Sequence, residues 1–213
     1  MNIAFLGDSI TYGYDLKDKS RKYSTLVCEM LGAVEENYGI TGTLMAMAGL
    51  NRDNDKAFLT RINLIDNADV AVVFGGTNDY FWSDRVIDGD GGEYFSSALR
   101  MMAEHIKAAR GDKPTLFVTP YPHNGIGNFF GGSDWRLDKS RHNTDEKNFN
   151  GHSLIDYVEK IVEICEEYSF PCLNLHDGFY FDWEKHTTDG CHPNEEGHIL
   201  IANAVAAKIK ELI

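Results

Sequence analysis

Residues 1–13 read Met-Asn-Ile-Ala-Phe-Leu-Gly-Asp-Ser-Ile-Thr-Tyr-Gly, an apolar segment that runs directly into a glycine, an acid and a serine. Residues 2–6 are typical of a strand that is buried on both faces, as in a parallel sheet covered by helices. Open α/β sheets bind their ligands beyond the carboxyl ends of such strands. A serine on a tight turn at that end would point its hydroxyl into a cleft, so Ser9 is a candidate nucleophile. Taken alone, it could equally be an ordinary turn residue.

Strand and helix patterns alternate along the rest of the chain. Short apolar runs predict strands at residues 2–6, 34–38, 70–74, 115–119 and 171–175. Apolar residues at helical spacings predict helices at about residues 23–31, 56–65, 92–109, 153–168 and 194–212. This alternation predicts an α/β fold, a three-layer α/β/α sandwich around a central parallel sheet of about five strands. Residues 1–213 contain no Pro-, Ser- or Gly-rich linker and no internal repeat, so we expect a single domain.

A candidate base lies near the other end of the chain. Asp189-Gly190-Cys191-His192 places an acid three residues before a histidine, just ahead of the last helical pattern. A serine nucleophile needs a base to take its proton, and a histidine base needs a carboxylate to orient it and stabilise the imidazolium. Asn78, after the apolar run at 70–74, carries an amide that can donate to an oxyanion.

These side chains should meet at one edge of the predicted sheet. Ser9, Gly42 and Asn78 each follow a predicted strand, and His192 follows the fifth strand after a longer loop. Because the carboxyl ends of parallel strands share one edge, the strand pattern itself predicts a common site.

Four segments resemble the GDSL esterase/lipase family, also called the SGNH hydrolases. They are residues 7–13, 37–42, 76–79 and 189–193, which read GDSITYG, NYGITG, GTND and DGCHP. They occur in the family order and extend over nearly the whole chain. The resemblance implies the flavodoxin-like SGNH hydrolase fold.

The resemblance also implies roles for individual residues. Ser9 would be the nucleophile, His192 the base and Asp189 its orienting carboxylate. The oxyanion hole would be formed by the Ser9 amide, the Gly42 amide and the Asn78 side chain. Gly49 lies close to the second segment, so the glycine that supplies the backbone amide stays open between Gly42 and Gly49.

Other polar residues near these motifs have simpler interpretations. Asp8 and Asp79 are expected to support their turns rather than to touch substrate. His186, His192 and His198 are spaced six residues apart, unlike the ligands of common metal motifs, so no metal site is predicted.

Aromatic residues mark a candidate substrate pocket. The segment at about 120–150 has no clear periodicity and is too long for an ordinary connection, so we interpret it as a loop or lid over the catalytic edge. It carries Phe129 and Trp135, and a second aromatic group after Asn78 includes Tyr80 and Trp82. These rings could line an acyl or sugar pocket, or they could form the small core of a lid.

Composition narrows the function classes. The 213 residues carry a net charge of −13, which argues against partners such as nucleic acid or anionic membranes. No apolar run approaches the length of a membrane span, so no membrane insertion is expected. The four cysteines have no CxxC spacing and no basic leader precedes the first strand, so we expect a cytoplasmic protein with reduced thiols. Homo-oligomerisation stays open.

The sequence therefore predicts a serine hydrolase that cleaves carboxylic esters of small or medium substrates, without cofactor or metal. A carbohydrate O-acetyl esterase, a lysophospholipase or a thioesterase would use the same machinery. The alternative from another class is a flavodoxin-like protein that binds a phosphate or a flavin at the Ser9 loop, but that alternative gives no reason for the Asp189–His192 pair.

Overall fold

The structure, a computed structural model, describes residues 1–49, 52–123 and 147–213. Within them, five strands form one parallel sheet in the order β2-β1-β3-β4-β5. The strands are β1 (Asn2–Gly7), β2 (Val34–Gly39), β3 (Val70–Phe74), β4 (Thr115–Val118) and β5 (Cys172–Leu173). The helices are α1 (Ser9–Tyr12), α2 (Tyr23–Leu31), α3 (Phe58–Arg61), α4 (Thr77–Trp82), α5 (Phe95–Arg110), α6 (Leu154–Glu167), α7 (Trp183–His186) and α8 (Glu195–Lys210).

Two apolar clusters pack on opposite faces of this sheet. On β3, Ala71 and Val73 belong to the cluster that includes residues of α5 and α6, whereas Val70 and Val72 belong to the cluster that includes residues of α2 and α8. The alternation of a strand's side chains between two faces produces these layers. The predicted α/β/α sandwich is therefore confirmed.

The structure differs from the sequence prediction at both edges of the sheet. β2 is an edge strand, and Val34 is 66% exposed, so this strand is not buried on both faces. β5, at the other edge, covers only Cys172–Leu173 of the predicted 171–175. It ends where the Leu175 N–H donates to the side chain of Thr119 instead of to a backbone carbonyl.

The predicted helix at 56–65 is broken in the structure. It consists of α3 followed by a 3₁₀ turn at Ile62–Ile65, because the backbone of Arg61 leaves the α region at φ −115° and ψ 7°. The predicted loop at 120–150 lies mostly outside the described residues. Among the helices that the structure describes, none is long and apolar enough to cross a membrane.

Candidate active site

Ser9 occupies the first position of α1, directly beyond the carboxyl end of β1. Gly7 leaves no room for a side chain, since a Cβ there would lie 1.9 Å from Thr11 Oγ1. The side chain of Asp8 caps the helix by accepting a hydrogen bond from Ile10 N at 2.9 Å. Gly13, in the left-handed region at φ 75°, ends the helix after one turn. This local geometry holds Ser9 on the tight turn that the sequence predicts.

A hydrogen-bonded chain joins Ser9 to the C-terminal motif. The distance from Ser9 Oγ to His192 Nε2 is 3.0 Å, and the distance from His192 Nδ1 to Asp189 Oδ2 is 2.8 Å. The second carboxylate oxygen of Asp189 accepts from the backbone N–H groups of Cys191 and His192 at 3.0 and 2.8 Å. In this arrangement the imidazole can accept the proton of the serine hydroxyl, while the carboxylate orients the ring and stabilises the imidazolium.

The environment of Asp189 favours its charged form. Burial raises the pKa of this carboxyl, but the hydrogen bond and charge of His192 and the two backbone N–H groups outweigh it and leave the pKa below its usual value. A carboxylate in this state can stabilise a neighbouring imidazolium.

The loop that carries His192 is fixed from two sides. Tyr121 Oη donates to the carbonyl oxygen of Cys191 at 2.6 Å, and Thr187 pairs with Pro193 in an isolated antiparallel bridge. The Thr188 N–H also donates to the carbonyl oxygen of His192 at 2.8 Å. The candidate base His192 is therefore held on a closed turn.

Asn78 lies on the first turn of α4, and its amide is oriented by Asp8. The Asn78 Nδ2 atom donates to Asp8 Oδ2 at 3.1 Å. Burial raises the pKa of Asp8 to about 6, although the bonds from Ile10 and Asn78 and the charge of His192 act in the opposite direction. Asp8 thus braces both the nucleophile turn and the Asn78 amide, as its simpler interpretation predicts.

The backbone amides separate the two glycine candidates. Gly49 N donates to Asn54 Oδ1 at 2.8 Å, so this N–H is already engaged. Gly42 has a φ of 75°, and its N–H has no acceptor among the described residues. The same holds for the N–H of Ser9. Of the two glycines, Gly42 is the one that can donate to a ligand.

Asp79 supports the segment that follows Gly42. Its buried carboxylate accepts from Met45 N at 2.9 Å and from Ala46 N at 3.0 Å. Burial raises the pKa of Asp79 to about 7, against the lowering effect of these backbone bonds. The structure places it in a supporting position, as predicted.

The aromatic pocket candidates have different positions. Tyr80 is a correction to the sequence prediction: its side chain is fully buried in the apolar core and packs against Tyr157 and Phe81, because α4 turns it away from the site. Trp82 is half-buried and lies under the guanidinium of Arg52. Phe129 and Trp135 lie outside the described residues.

Tyr14 is a neighbour of the site that the sequence prediction misses. Its ring centroid lies 4.5 Å from that of His192, with an angle of 46° between the rings, and the residue is 38% exposed. The next residue, Asp15, accepts a hydrogen bond from Thr188 Oγ1 at 3.0 Å. The only signal in the sequence is an aromatic residue one turn after the candidate nucleophile.

The three C-terminal histidines have separate environments. His198 Nδ1 accepts from Tyr23 N at 3.1 Å, and His186 Nδ1 accepts from Asp182 N at 3.0 Å. The described residues contain no group of three His, Cys, Asp or Glu side chains that could hold a metal ion.

Comparison with known proteins identifies the family. The model of the GDSL-like lipase/acylhydrolase family matches residues 5–200. The chain belongs to this family. Membership favours the predicted ester-cleaving hydrolase over the alternative of a flavodoxin-like binding protein.

Three known proteins resemble this chain over nearly its full length. A curated acetylxylan esterase from Xylanibacter ruminicola is 24% identical over 232 residues, which cover 99% of this chain and 43% of that protein. The chain thus spans less than half the length of this relative. A crystal structure of a protein from Lactobacillus plantarum is 25% identical, with a TM-score of 0.76 and coverage of 99% and 96%. A carbohydrate acetylesterase from Sinorhizobium meliloti shares the fold, at 15% identity, a TM-score of 0.71 and coverage of 100% and 99%.

Proposed function

We propose that this hydrolase cleaves carboxylic esters of small or medium substrates through an acyl-enzyme on Ser9. The observation that carries the proposal is the chain of hydrogen bonds from Ser9 Oγ through His192 to Asp189, at 3.0 and 2.8 Å. A histidine within hydrogen-bond reach of a serine, itself oriented by a carboxylate, is the arrangement that activates a hydroxyl for attack.

The proposed reaction has two steps. Ser9 Oγ attacks the acyl carbon while His192 Nε2 takes its proton, and the resulting imidazolium is stabilised by Asp189. The same proton then passes to the leaving alcohol, whose departure leaves the acyl group on Ser9. Water enters, His192 accepts its proton, and hydrolysis of the acyl-enzyme restores the serine.

Three donors would hold the oxyanion in both steps. They are the N–H of Ser9, the N–H of Gly42 and the side-chain amide of Asn78. The two backbone N–H groups have no acceptor among the described residues, and Asp8 fixes the orientation of the Asn78 amide. Donors that are positioned before the reaction stabilise the negative charge without reorganisation.

Acetyl esters of carbohydrates are the first substrate class to examine. The support comes from two relatives, the acetylxylan esterase and the carbohydrate acetylesterase described above. Lipid and thioester substrates use the same chemistry and belong in the same panel. A series of p-nitrophenyl esters from acetate to palmitate, measured beside acetylated sugars, ranks these classes by kcat/KM.

The mechanism is tested by removing its members singly and together. Ser9→Ala and His192→Ala should each reduce kcat by several orders of magnitude, and the double variant should be little worse than either, because the groups act as one unit. A fluorophosphonate probe should label the parent and not Ser9→Ala.

His105→Ala is a matched control, since His105 Nε2 also contacts a carboxylate, Asp66 Oδ1, at 2.9 Å on another part of the surface. It should keep the parent's activity. Turnover by Ser9→Ala within about tenfold of the parent, a difference of only about 1.4 kcal/mol in the barrier, would exclude Ser9 as the nucleophile.

A further inference from the structure

An arginine lies beside the proposed oxyanion hole and takes no part in the chemistry described above. The Arg52 Cζ atom is 3.6 Å from the centroid of the Trp82 ring. Trp82 ends α4, the helix on which Asn78 is the second residue. The guanidinium also lies next to Gly42, because a Cβ built on that glycine would lie 2.9 Å from Arg52 Nη1. Arg52 therefore lies next to one proposed oxyanion donor, Gly42, and against the helix that carries another, Asn78.

The charge of this arginine is not compensated. Arg52 forms no ion pair with a carboxylate within the described residues, although the protein carries a net charge of −13. Burial lowers the pKa of Arg52, and no neighbouring charge offsets that effect. Cations that are withdrawn from water in proteins are normally paired, since the unpaired state costs free energy.

The side-chain nitrogens of Arg52 also form no hydrogen bond with the described residues. Its Nε atom is buried and has no acceptor in the described part of the chain. The two terminal nitrogens also have no acceptor there, but they are not among the buried unpaired atoms, so they reach solvent. The two terminal nitrogens of the guanidinium are therefore available to a ligand.

Two other arginines have a structural role, because their guanidinium groups donate hydrogen bonds to the protein. Arg61 donates to the carbonyl oxygens of Lys56 and Tyr38, both at 2.7 Å. Arg110 donates to Thr115 Oγ1 at 2.9 Å and to the carbonyl of Ala68 at 3.0 Å. Both guanidinium groups are enclosed by acceptors from the protein itself. Arg52 differs from them because it is stacked on Trp82 but has no acceptor among residues 1–49, 52–123 and 147–213.

We infer that Arg52, stacked on Trp82, is a subsite for a carboxylate group of the ester substrate. The inference rests on the proposed function and narrows its substrates to esters that carry a negative charge near the scissile bond. A planar guanidinium matches a carboxylate with two parallel hydrogen bonds, and stacking on an indole fixes its plane. The carboxylate could belong to the acyl part or to the alcohol part, such as a uronic acid.

The experiment compares matched charged and neutral esters. For the acyl part, the pair is p-nitrophenyl hydrogen adipate and p-nitrophenyl methyl adipate. For the alcohol part, it is an O-acetylated methyl glucuronoside and the corresponding glucoside. The readout is the ratio of kcat/KM for the charged ester to that for the neutral one. The parent should favour the charged ester in one of the two pairs, which identifies the side that carries the carboxylate.

Substitution of the arginine should remove that preference. Arg52→Gln should lower the ratio by about tenfold to a hundredfold, the value of a charge-assisted pair of hydrogen bonds. Arg52→Lys should lie between the parent and Arg52→Gln, because it keeps the charge but loses the fork. Arg100→Gln, at a surface arginine that pairs with Glu163 and Glu167, is the control and should leave the ratio unchanged.

The outcomes separate this inference from the proposed function. If Arg52→Gln lowers kcat/KM equally for charged and neutral esters, Arg52 supports the Gly42 segment and the inference is wrong. A parent that prefers the neutral ester in both pairs overturns it as well. Binding of the charged esters to the Ser9→Ala protein, with and without Arg52→Gln, measures the subsite without turnover. Loss of binding supports the subsite whatever the nucleophile is, whereas fluorophosphonate labelling of Ser9 tests the chemistry alone.

Discussion

At the scale of the residue, the site depends on groups whose hydrogen bonds to the protein leave one face free. The Asn78 amide donates one hydrogen to Asp8 and keeps another for a ligand. Ser9 Oγ contacts His192 Nε2. The backbone N–H of Ser9, on the first turn of α1, has no acceptor among the described residues. Such partly satisfied groups are oriented before the substrate arrives, which is what a transition-state donor requires.

Replacement of Asn78 by alanine should affect kcat far more than KM. The oxyanion exists only in the transition state and the intermediate, so a donor aimed at it contributes little to ground-state binding. We expect a loss of about a hundredfold to a thousandfold in kcat, measured by steady-state kinetics on a short-chain ester. A variant whose main defect is in KM would instead place Asn78 in substrate binding.

Tyr14 should act through the position of His192. Its ring packs against the imidazole at a centroid distance of 4.5 Å, a contact worth about 0.5–1.5 kcal/mol. Tyr14→Ala should therefore lower kcat by roughly twofold to tenfold, whereas Tyr14→Phe, which keeps the ring, should stay close to the parent. Equal losses in both variants would assign the effect to the hydroxyl group and contradict a packing role.

At the scale of the element, the segment at 42–49 is positioned by α4 rather than by regular secondary structure of its own. The Asp79 carboxylate accepts from Met45 N and Ala46 N, and Gly49 pairs with Ser83 just beyond the helix. Asn78 and Asp79 are neighbours on α4, so one helix carries one proposed oxyanion donor and also anchors the segment that contains another, Gly42.

Asp79→Ala should destabilise the fold, because two buried N–H groups lose their acceptor. We expect the free energy of unfolding to fall by about 2–5 kcal/mol, measured by urea denaturation. Burial raises the pKa of Asp79 to about 7. Because the variant no longer buries this carboxylate, the expected loss lies at the lower end of that range. Asp112→Ala, at an exposed position, is the control. A decrease below about 0.5 kcal/mol would show that the segment does not depend on Asp79.

At the scale of the whole molecule, burial favours the neutral forms of two histidines and two aspartates. Burial lowers the pKa of His198 and of His123 to about 3 and raises the pKa of Asp8 and of Asp79 to about 6 and 7. The histidines and the aspartates affect stability in opposite directions as the pH falls. As the pH falls, the histidines gain a proton only in the unfolded state, which lowers stability. The two aspartates gain a proton in the folded state at a higher pH than in the unfolded state, which raises stability.

His198 allows the histidine contribution to be measured separately. Burial, followed by the charges of Lys19, His192 and Lys22, keeps the pKa of the folded histidine at about 3, so below about pH 6.5 only the unfolded state takes the proton. The contribution of His198 to stability should therefore fall as the pH drops from 7.5 to 5. The share of this residue is about 2 kcal/mol at pH 5, at about 1.4 kcal/mol per pH unit.

The comparison is with His198→Asn, whose side-chain oxygen can still accept from Tyr23 N. This variant should be less stable at both pH values, but it should lose about 2 kcal/mol less than the parent between pH 7.5 and 5, measured by urea denaturation. The contributions of Asp8 and Asp79 are present in both proteins and cancel in the difference. An equal loss in the two proteins would mean that His198 is protonated in the folded state.

Residues that follow a strand or share a turn could be predicted from the sequence. Ser9 and Asn78 lie directly after apolar runs, and Asp189 and His192 lie within one turn, so local patterns specify their positions. The parallel sheet then brings these ends together, as the alternation of strands and helices requires. The edge strands were less predictable, because their exposure depends on the strand order and not on their own composition.

The sequence by itself determined the sandwich, the sheet edge that holds the site and the residues of the serine–histidine–carboxylate chain. Only the tertiary structure decided that Tyr80 belongs to the core and that the Gly49 N–H donates a hydrogen bond to Asn54. It also decided that Tyr14 and Arg52 lie against the site. Strand and turn patterns arise from the spacing of neighbouring residues, which can be read along the chain. Contacts such as that of Arg52 with Trp82 join residues far apart in sequence, and the packing of the whole fold selects them from many alternatives of similar local energy.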